Sequence, residues 1–522
     1  MPTALYARAI VFLLLLALGP YGPAYATPGQ PGTLDATWGA TSPLGAGKVV
    51  SVIPGTDHGE VYAMTLQPDG KVVLAGFCVV DVATNTQAFC LVRYHGGNVA
   101  GSPGGTLDTT FNGNGTVVTG IAGVSDIAKA IAVQPDGKII AAGTCYTGNF
   151  MVPRTDFCVA RYLANGTPDP SFNSTGKLLT PMGSSGGRAA AAALQPDGKI
   201  VLTGDCNSSV SIRSFCTVRY LSNGTLDTSF NGTGKVFTEV NTSESVANAM
   251  TLQSDGKLII AGYCGSGHNF CAARYLSNGS LDATFSGNGI AQTAIGTSSS
   301  AASSVAVQPD GKIVLAGLCA NGAAYAFCAL RYLSDGTLDV AFNGDGQLMT
   351  SIGNNGVTST STLALALQPD GKPLIVGTCD NGSDDFCLVR YGPNGGVDTS
   401  FNGSGKVITQ MTTYPDNASA LALQPDGRIV VAGYCGNSNL EFNFCAARYD
   451  SGPFGYKACT LDIDGDNRVL ATTDMLIGTR IALGMTGTAV INGISFPPTA
   501  TRNTWPLIRD YLVNQCGMAL AP

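Results

Sequence analysis

Residues able to carry acid–base or metal chemistry are few in this chain of 522 residues. There are three histidines, His58, His95 and His268, and four glutamates, Glu60, Glu239, Glu244 and Glu441, beside 31 aspartates. Fourteen of those aspartates fall in two turn motifs that recur seven times each. General acid–base chemistry draws mostly on His or on a tuned Glu, so this inventory speaks against hydrolytic or His–metal catalysis. The expectation is that the chain is not an enzyme, with no catalytic residue assigned. The sulfur inventory is larger. Fourteen of the sixteen cysteines form local pairs: Cys78/Cys90, Cys145/Cys158, Cys206/Cys216, Cys264/Cys271, Cys319/Cys328, Cys379/Cys387 and Cys435/Cys445. The other two, Cys459 and Cys516, bracket the C-terminal region. No C-x-x-C occurs and almost no His is present to complete a zinc site. Disulfides are expected, each local one closing about ten residues and worth roughly 2.5–3 kcal/mol by chain entropy.

One cluster has metal spacing. Asp462, Asp464 and Asp466 place carboxylates at positions 1, 3 and 5 of a calcium-type loop, with Arg468 offering its backbone carbonyl at position 7. The twelfth position is Thr473, and the closing carboxylate, Asp474, comes one residue later.

The compartment follows from residues 1–26. Arg8 supplies a positive start, Ile10 to Leu18 a short apolar core, and Ala24-Tyr25-Ala26 a cleavage pattern. The apolar run is too short to span a bilayer, which takes about 20 residues. A secreted mature chain with no membrane span is expected, extracellular, at the cell surface or periplasmic. Disulfides persist in such compartments. Charged residues make up 12% of the chain against about 25% on average, while 44% are hydrophobic, so disorder is excluded. A net charge of −7 leaves no basic surface for nucleic acid.

The elements that position all this are repeats. The turn Q-P-D-G starts at Gln67, Gln134, Gln195, Gln308, Gln368 and Gln424, and Q-S-D-G at Gln253, a period of about 60 residues. Each turn leads into an apolar run, a Cys, a variable loop and a run ending in Arg-Tyr (Arg93, Arg161, Arg219, Arg274, Arg331, Arg390, Arg448). Then come an L-D-x-x-F-N-G turn and a short strand, such as Lys235 to Val240. Runs of four to seven residues, rich in Val and Ile and bounded by Gly, favour strands, and Pro-Asp-Gly favours the turn between two of them. Each unit therefore gives four strands, a to d, the blade of a propeller. The two cysteines of a unit, at the end of b and the start of c, are expected opposite each other across a hairpin, close enough to bridge. After Arg448-Tyr449 the last turn and strand d are missing, and an unpartnered copy lies at Gly32 to Ile53. The N-terminal strand is expected to complete the last sheet and close a ring of seven, which removes exposed sheet edges. The seven Arg are expected to pair with the turn aspartates.

These residues resemble the delta-60 repeat family, over about Gly32 to Tyr449. The resemblance implies a propeller-like module of secreted bacterial proteins, with no catalytic residues to carry over. The expected organisation is signal peptide 1–26, all-β seven-bladed propeller 27–450, and a small α-helical module 451–522. The a–b and c–d turns share one face and hardly vary. The b–c and d–a loops share the other and differ throughout, so recognition is expected there. The C-terminal region resembles a dockerin-type calcium module, with a helix to about Leu483, a second over Trp505 to Gln515, and Cys459–Cys516 tying its ends. It departs from that family in the displaced Asp474 and in lacking a second Asp-rich loop.

The expected function is a secreted binding or scaffold protein, a monomeric propeller recognising an extracellular protein or glycan, with a calcium-stabilised attachment module. The alternative is a propeller enzyme of lyase or lactonase type with a central-channel site. Strand a just before the turns reads Ala-Met-Thr-Leu or Ala-Ile-Ala-Val, small and apolar, and favours binding. If Asp462 to Asp474 hold calcium, adding calcium raises the thermal midpoint of the full chain; a midpoint unmoved at saturating calcium removes that ion from the account.

Overall fold

The computed structural model describes residues 30–97, 103–148, 154–183, 185–207, 212–240, 244–322, 324–359, 361–425, 427–439, 441–451, 476–477, 480, 487–496 and 503–510. The signal segment, the loop carrying Asp462, Asp464, Asp466, Arg468 and Asp474, and both Cys459 and Cys516 lie outside them.

The described chain is an all-β, propeller-like array. In the first unit strand a is Gly59–Leu66, b Val72–Asp81, c Thr86–Tyr94 and d Thr116–Thr119, antiparallel in that order. The next three units repeat this arrangement of four strands. The fifth and sixth are joined in one larger sheet, because the two-residue strand Gly356–Val357 bridges Tyr325 and Cys379. In the last unit, strands Asp416–Leu423, Ile429–Gly436 and Phe442–Tyr449 take their fourth strand from the other end of the chain. Lys48–Ser51 pairs with it, from Lys48 opposite Ala447 to Ser51 opposite Phe444. The leading strand thus occupies the place left by the missing strand d.

The turns form as their residues dictate. Gly70 N donates to Gln67 O at 2.8 Å, Gln67 N donates to Lys71 O at 2.9 Å, and Gly70 takes φ 82°. That left-handed backbone suits glycine. Apolar faces are buried between neighbouring sheets rather than within one. Val73, Ala75, Phe89 and Leu91 of the first unit share a cluster with Ala128, Ile139 and Ala141 of the second. Val430, Ala432 and Phe444 of the last unit likewise share one with Val61 and Val72 of the first.

All seven local cysteine pairs are disulfides. Cys78–Cys90, Cys206–Cys216 and Cys379–Cys387 have Cα–Cα separations of 5.8 Å. Cys145–Cys158, Cys264–Cys271, Cys319–Cys328 and Cys435–Cys445 have separations of 5.9 Å. One detail of the expectation is corrected: the two cysteines of a unit are not directly opposed. The residue facing the second cysteine is a glycine of strand b, two positions before the first. Gly76 faces Cys90, Gly143 faces Cys158, Gly204 faces Cys216 and Gly262 faces Cys271. Gly317 faces Cys328, Gly377 faces Cys387 and Gly433 faces Cys445. The bridge therefore runs diagonally, which is possible because residues two apart on a strand point to the same face. Each one fastens strand b to strand c at the base of a variable loop.

The arginines of the R-Y motif do pair with turn aspartates. Arg93, Arg161, Arg219, Arg274, Arg331 and Arg390 each hold, through Nε, the L-D aspartate of their own unit at 2.7 to 2.9 Å. Arg448 holds Asp35 of the N-terminal segment through Nη2 at 2.8 Å. Each guanidinium also lies over an aromatic ring, Phe230 at 4.5 Å for Arg219 and Trp38 at 5.5 Å for Arg448. Its third contact leaves the unit: Arg219 Nη1 donates to Ser277 O at 2.5 Å, and Arg448 Nη1 donates to Gly96 O. The residue is therefore a clip between consecutive sheets.

Burial alone would raise the carboxyl of Asp282, yet hydrogen bonds from Thr284 and the charge of Arg274 outweigh it and hold it near about 2. Asp108 and Asp398 are held near about 2 in the same way.

Among the C-terminal residues, Leu476, Ile477 and Arg480 are helical, and a short helix runs Trp505–Asp510. Ile477, Val490, Trp505 and Ile508 form a small core.

Two outcomes are expected. Arg219→Met removes the closest cation of Asp227, leaving Lys199 Nζ at 3.7 Å, and costs about 1.5–3 kcal/mol in urea unfolding; a loss under about 1 kcal/mol contradicts the clip. Because the clip carboxyls are depressed, their stabilisation is full above the ordinary value of 3.8 and is lost as pH falls toward about 2. Acid titration followed by circular dichroism should therefore show no clip-dependent loss above about pH 4.

Candidate functional site at the channel mouth

Strand a carries an irregularity that the apolar pattern conceals. In six units its pairing with strand b skips one residue: Tyr62, Lys129, Ala190, Asn248, Ser303 or Ser419. Each stands five residues before the glutamine of the turn. Such a bulge re-aims side chains, and bulges concentrate beside active sites. The glycine of strand b makes it fit. A Cβ on Gly76 would stand 1.8 Å from Glu60 O, and one on Gly143 2.0 Å from Ile127 O. The glycine repeated in the sequence two residues before each strand-b cysteine is thus required by close approach of strand a.

Five of the six bulge residues, all but Ser419, and four of the residues two before them reach one cavity. Tyr62, Lys129, Arg188, Asn248 and Ser303 line a cavity of about 680 Å³. Strand b adds Asp205 and Tyr263 from positions just before its cysteines. Ser125, Tyr146 and Arg213 come from the ends of d–a and b–c connections, so the cavity opens on the variable face.

The lining is uneven. Three bulge residues spend their polar groups on the next unit: Asn248 Nδ2 donates to Ala302 O at 2.9 Å, Ser303 Oγ to Leu363 O at 3.0 Å, and Ser419 Oγ to Val61 O at 2.5 Å. Tyr62 instead donates its hydroxyl to Glu60 Oε2 at 2.5 Å, and Lys129 Nζ lies 3.0 Å from the centre of the Tyr62 ring. Among the described residues no carboxylate lies within ion-pair distance of Lys129. Burial pushes its ammonium down to about 8, Arg188 adds to that by repulsion, and Glu60 opposes it. Burial and the charge of Glu60 push the Tyr62 hydroxyl well up. Across the cavity Arg188 Nη2 holds Asp205 Oδ2 at 3.0 Å, and Arg213 Nη1 holds Glu244 Oε1 at 3.0 Å. Burial raises the Asp205 carboxyl, with Arg188 opposing. Lys129, Arg188, Arg213 and Asp205 line the cavity, and because Arg188 is paired with Asp205 and Arg213 with Glu244, Lys129 is the lining cation without an ion-pair partner among the described residues.

The expectation of a small, apolar channel is corrected here. It rested on the four residues before each turn, whereas the polar groups lie beyond the bulge. None of the three histidines lines the cavity. His58 pairs with Asp57 at 2.8 Å, and His268 lies against Tyr263 with ring centres 4.6 Å apart. The disulfides flank the site without entering it. Lys129, Arg188, Tyr62 and Glu60 were missed, although aligning the units shows the signal: five residues before the turn stand Tyr, Lys, Ala, Asn, Ser, Leu and Ser, while the residue before it is always Leu or Val.

Gly143→Ala is expected to cost about 1–3 kcal/mol by forcing strands apart at the bulge. Gly120→Ala, where an added Cβ meets nothing within 4 Å, is the neutral control. Equal urea midpoints for the two variants would contradict the role given to Gly143.

Comparison with known proteins places the fold. No curated protein matches the chain. Among solved structures, a protein of unknown function from Dyadobacter fermentans DSM 18053 is 10% identical, with a TM-score of 0.40, covering 77% of this chain and 97% of that one. A polysaccharide lyase of the PL25 ulvan lyase type is 11% identical, with a TM-score of 0.40, covering 77% and 96%. The NanB sialidase from Streptococcus pneumoniae is 10% identical, with a TM-score of 0.38, covering 77% and 70%. The expectation that the chain is not an enzyme is corrected: it rested on an apolar channel, whereas Tyr62, Lys129, Arg188 and Asp205 line the cavity. Six units, at residues 134–172, 195–230, 253–285, 308–342, 368–401 and 424–451, match the family described as "Domain of unknown function (DUF5122) beta-propeller", and over those residues the chain is similar to the repeats of that family.

Proposed function

We propose that the chain is an exported, closed seven-bladed propeller whose central cavity binds an anionic, sugar-like ligand from the variable face. The observation that carries this is Lys129, an ammonium lining the cavity with no carboxylate within ion-pair distance among the described residues, beside Arg188, in a chain whose net charge is −7. A carboxylate-bearing glycan suits the cavity better than a protein surface does. At about 680 Å³ the site has the size of a small-molecule cleft. Tyr62, Tyr146 and Tyr263 supply aromatic faces and hydroxyls. Closure is supported by the contacts of Arg448 with Gly96 and of Ser419 with Val61, which join last unit to first. Export is supported by the residues 1–26 pattern and by seven disulfides. Among the described residues no helix is long and apolar enough to cross a membrane. The Asp462, Asp464, Asp466, Arg468 and Asp474 loop is proposed, on its sequence alone, to bind calcium in a C-terminal attachment module.

Calorimetry with oligosaccharides tests the reading. Uronate-bearing chains are expected to bind, neutral ones of equal length to bind far more weakly, and added salt to weaken the former. Arg188→Ala should reduce affinity about 10- to 100-fold, as loss of a charged hydrogen bond does. Equal binding of neutral and acidic chains, or no binding of either, would overturn it.

A further inference from the structure

Lys129 has a position that binding alone does not explain. It stands on a bulge whose counterparts in three other units hold the neighbouring sheet, yet among the described residues its own amine makes no such contact. From the first unit Tyr62 and Glu60 face it. From the third comes Arg188, itself tied to Asp205. Both Lys129 and Arg188 line this cavity, and the charge of Arg188 acts on the amine.

Resting on the anionic-ligand reading above, we propose that Lys129 is a catalytic base that makes the cavity a lyase site for uronate-containing glycans. The neutral amine takes the proton from the carbon bearing the carboxylate, and that C–H bond breaks as an N–H bond forms. The electron pair moves onto the carboxylate, whose charge Arg188 balances. It then forms a C=C bond while the C–O bond to the next sugar breaks. The Lys129 ammonium returns its proton to the departing oxygen, so no water, oxidant or metal is consumed. The amine is suited to this because burial and Arg188 bring its proton affinity down to about 8, within the range where a base is both free and strong enough. Since the unprotonated amine acts, kcat/KM rises about tenfold per pH unit below that value and levels above it.

The test uses the full mature chain with polygalacturonate and polyglucuronate, following ultraviolet absorbance of the unsaturated sugar and, separately, binding by calorimetry. Unsaturated ends should form, with the stated pH profile. Lys129→Met and Lys129→Arg should each lose at least about 10²-fold in kcat/KM, while Lys129→Arg keeps its affinity within a few fold. Tight binding without unsaturated product, cleavage giving only saturated ends, or an active Lys129→Arg variant overturns Lys129 as the base and leaves the binding site standing. Absence of binding to either polymer removes the site reading itself, and this proposal with it.

Discussion

The buried arginine of each unit is the constraint on which the rest of the molecule depends. A guanidinium out of water is tolerated only when its donors are met, and here each is met from a different place. The aspartate of the following turn takes one, and a carbonyl on the next sheet takes another, as in Arg161 with Asp169 and Ser222. Because the set cannot be satisfied within one sheet, every unit is obliged to have a neighbour. The last unit obeys the same rule with borrowed parts. Asp35, Trp38 and strand Lys48–Ser51 come from the start of the chain, and the carbonyl of Gly96 comes from the first unit.

A frame held in this way can tolerate a costly feature elsewhere. Strand a is interrupted where regular pairing would be stronger, and strand b gives up a side chain to allow it. Glycine in a strand weakens it, so the repeated glycine works against local propensity. The disulfide two residues beyond each glycine fastens strand b to strand c just where the bulge disturbs strand b's other edge.

Much of this architecture was legible because it is written in residues with little conformational choice. Pro-Asp-Gly fixes a turn, paired cysteines fix a hairpin, and an unpartnered L-D-x-x-W segment at Leu34 to Trp38 finds Arg448. The site was not legible by the same means. Val61, Met64 and Leu66 pack on the core between sheets. Alternation carried back from Leu66 and Met64 would put Tyr62 with them, but the bulge inserts one residue and reverses the parity. Tyr62 and Lys129 then face the cavity although a period of two sends them inward. Histidine and glutamate counts misled for a related reason: the cavity draws on lysine, arginine and tyrosine, whose roles depend on burial that composition does not report.

Equivalent positions in successive units do not make equivalent walls. Bulky or charged side chains stand at Tyr62, Lys129 and Arg188, whereas Ala190, Ala301, Ser303 and Ser361 are small. The sixth unit differs in another way. It lacks the bulge, and Ser361 Oγ accepts from Thr378 N at 2.7 Å, which draws that stretch against its own sheet. The frame therefore sets where side chains can point, and the uneven choice among equivalent positions shapes the cavity and places Lys129 in it.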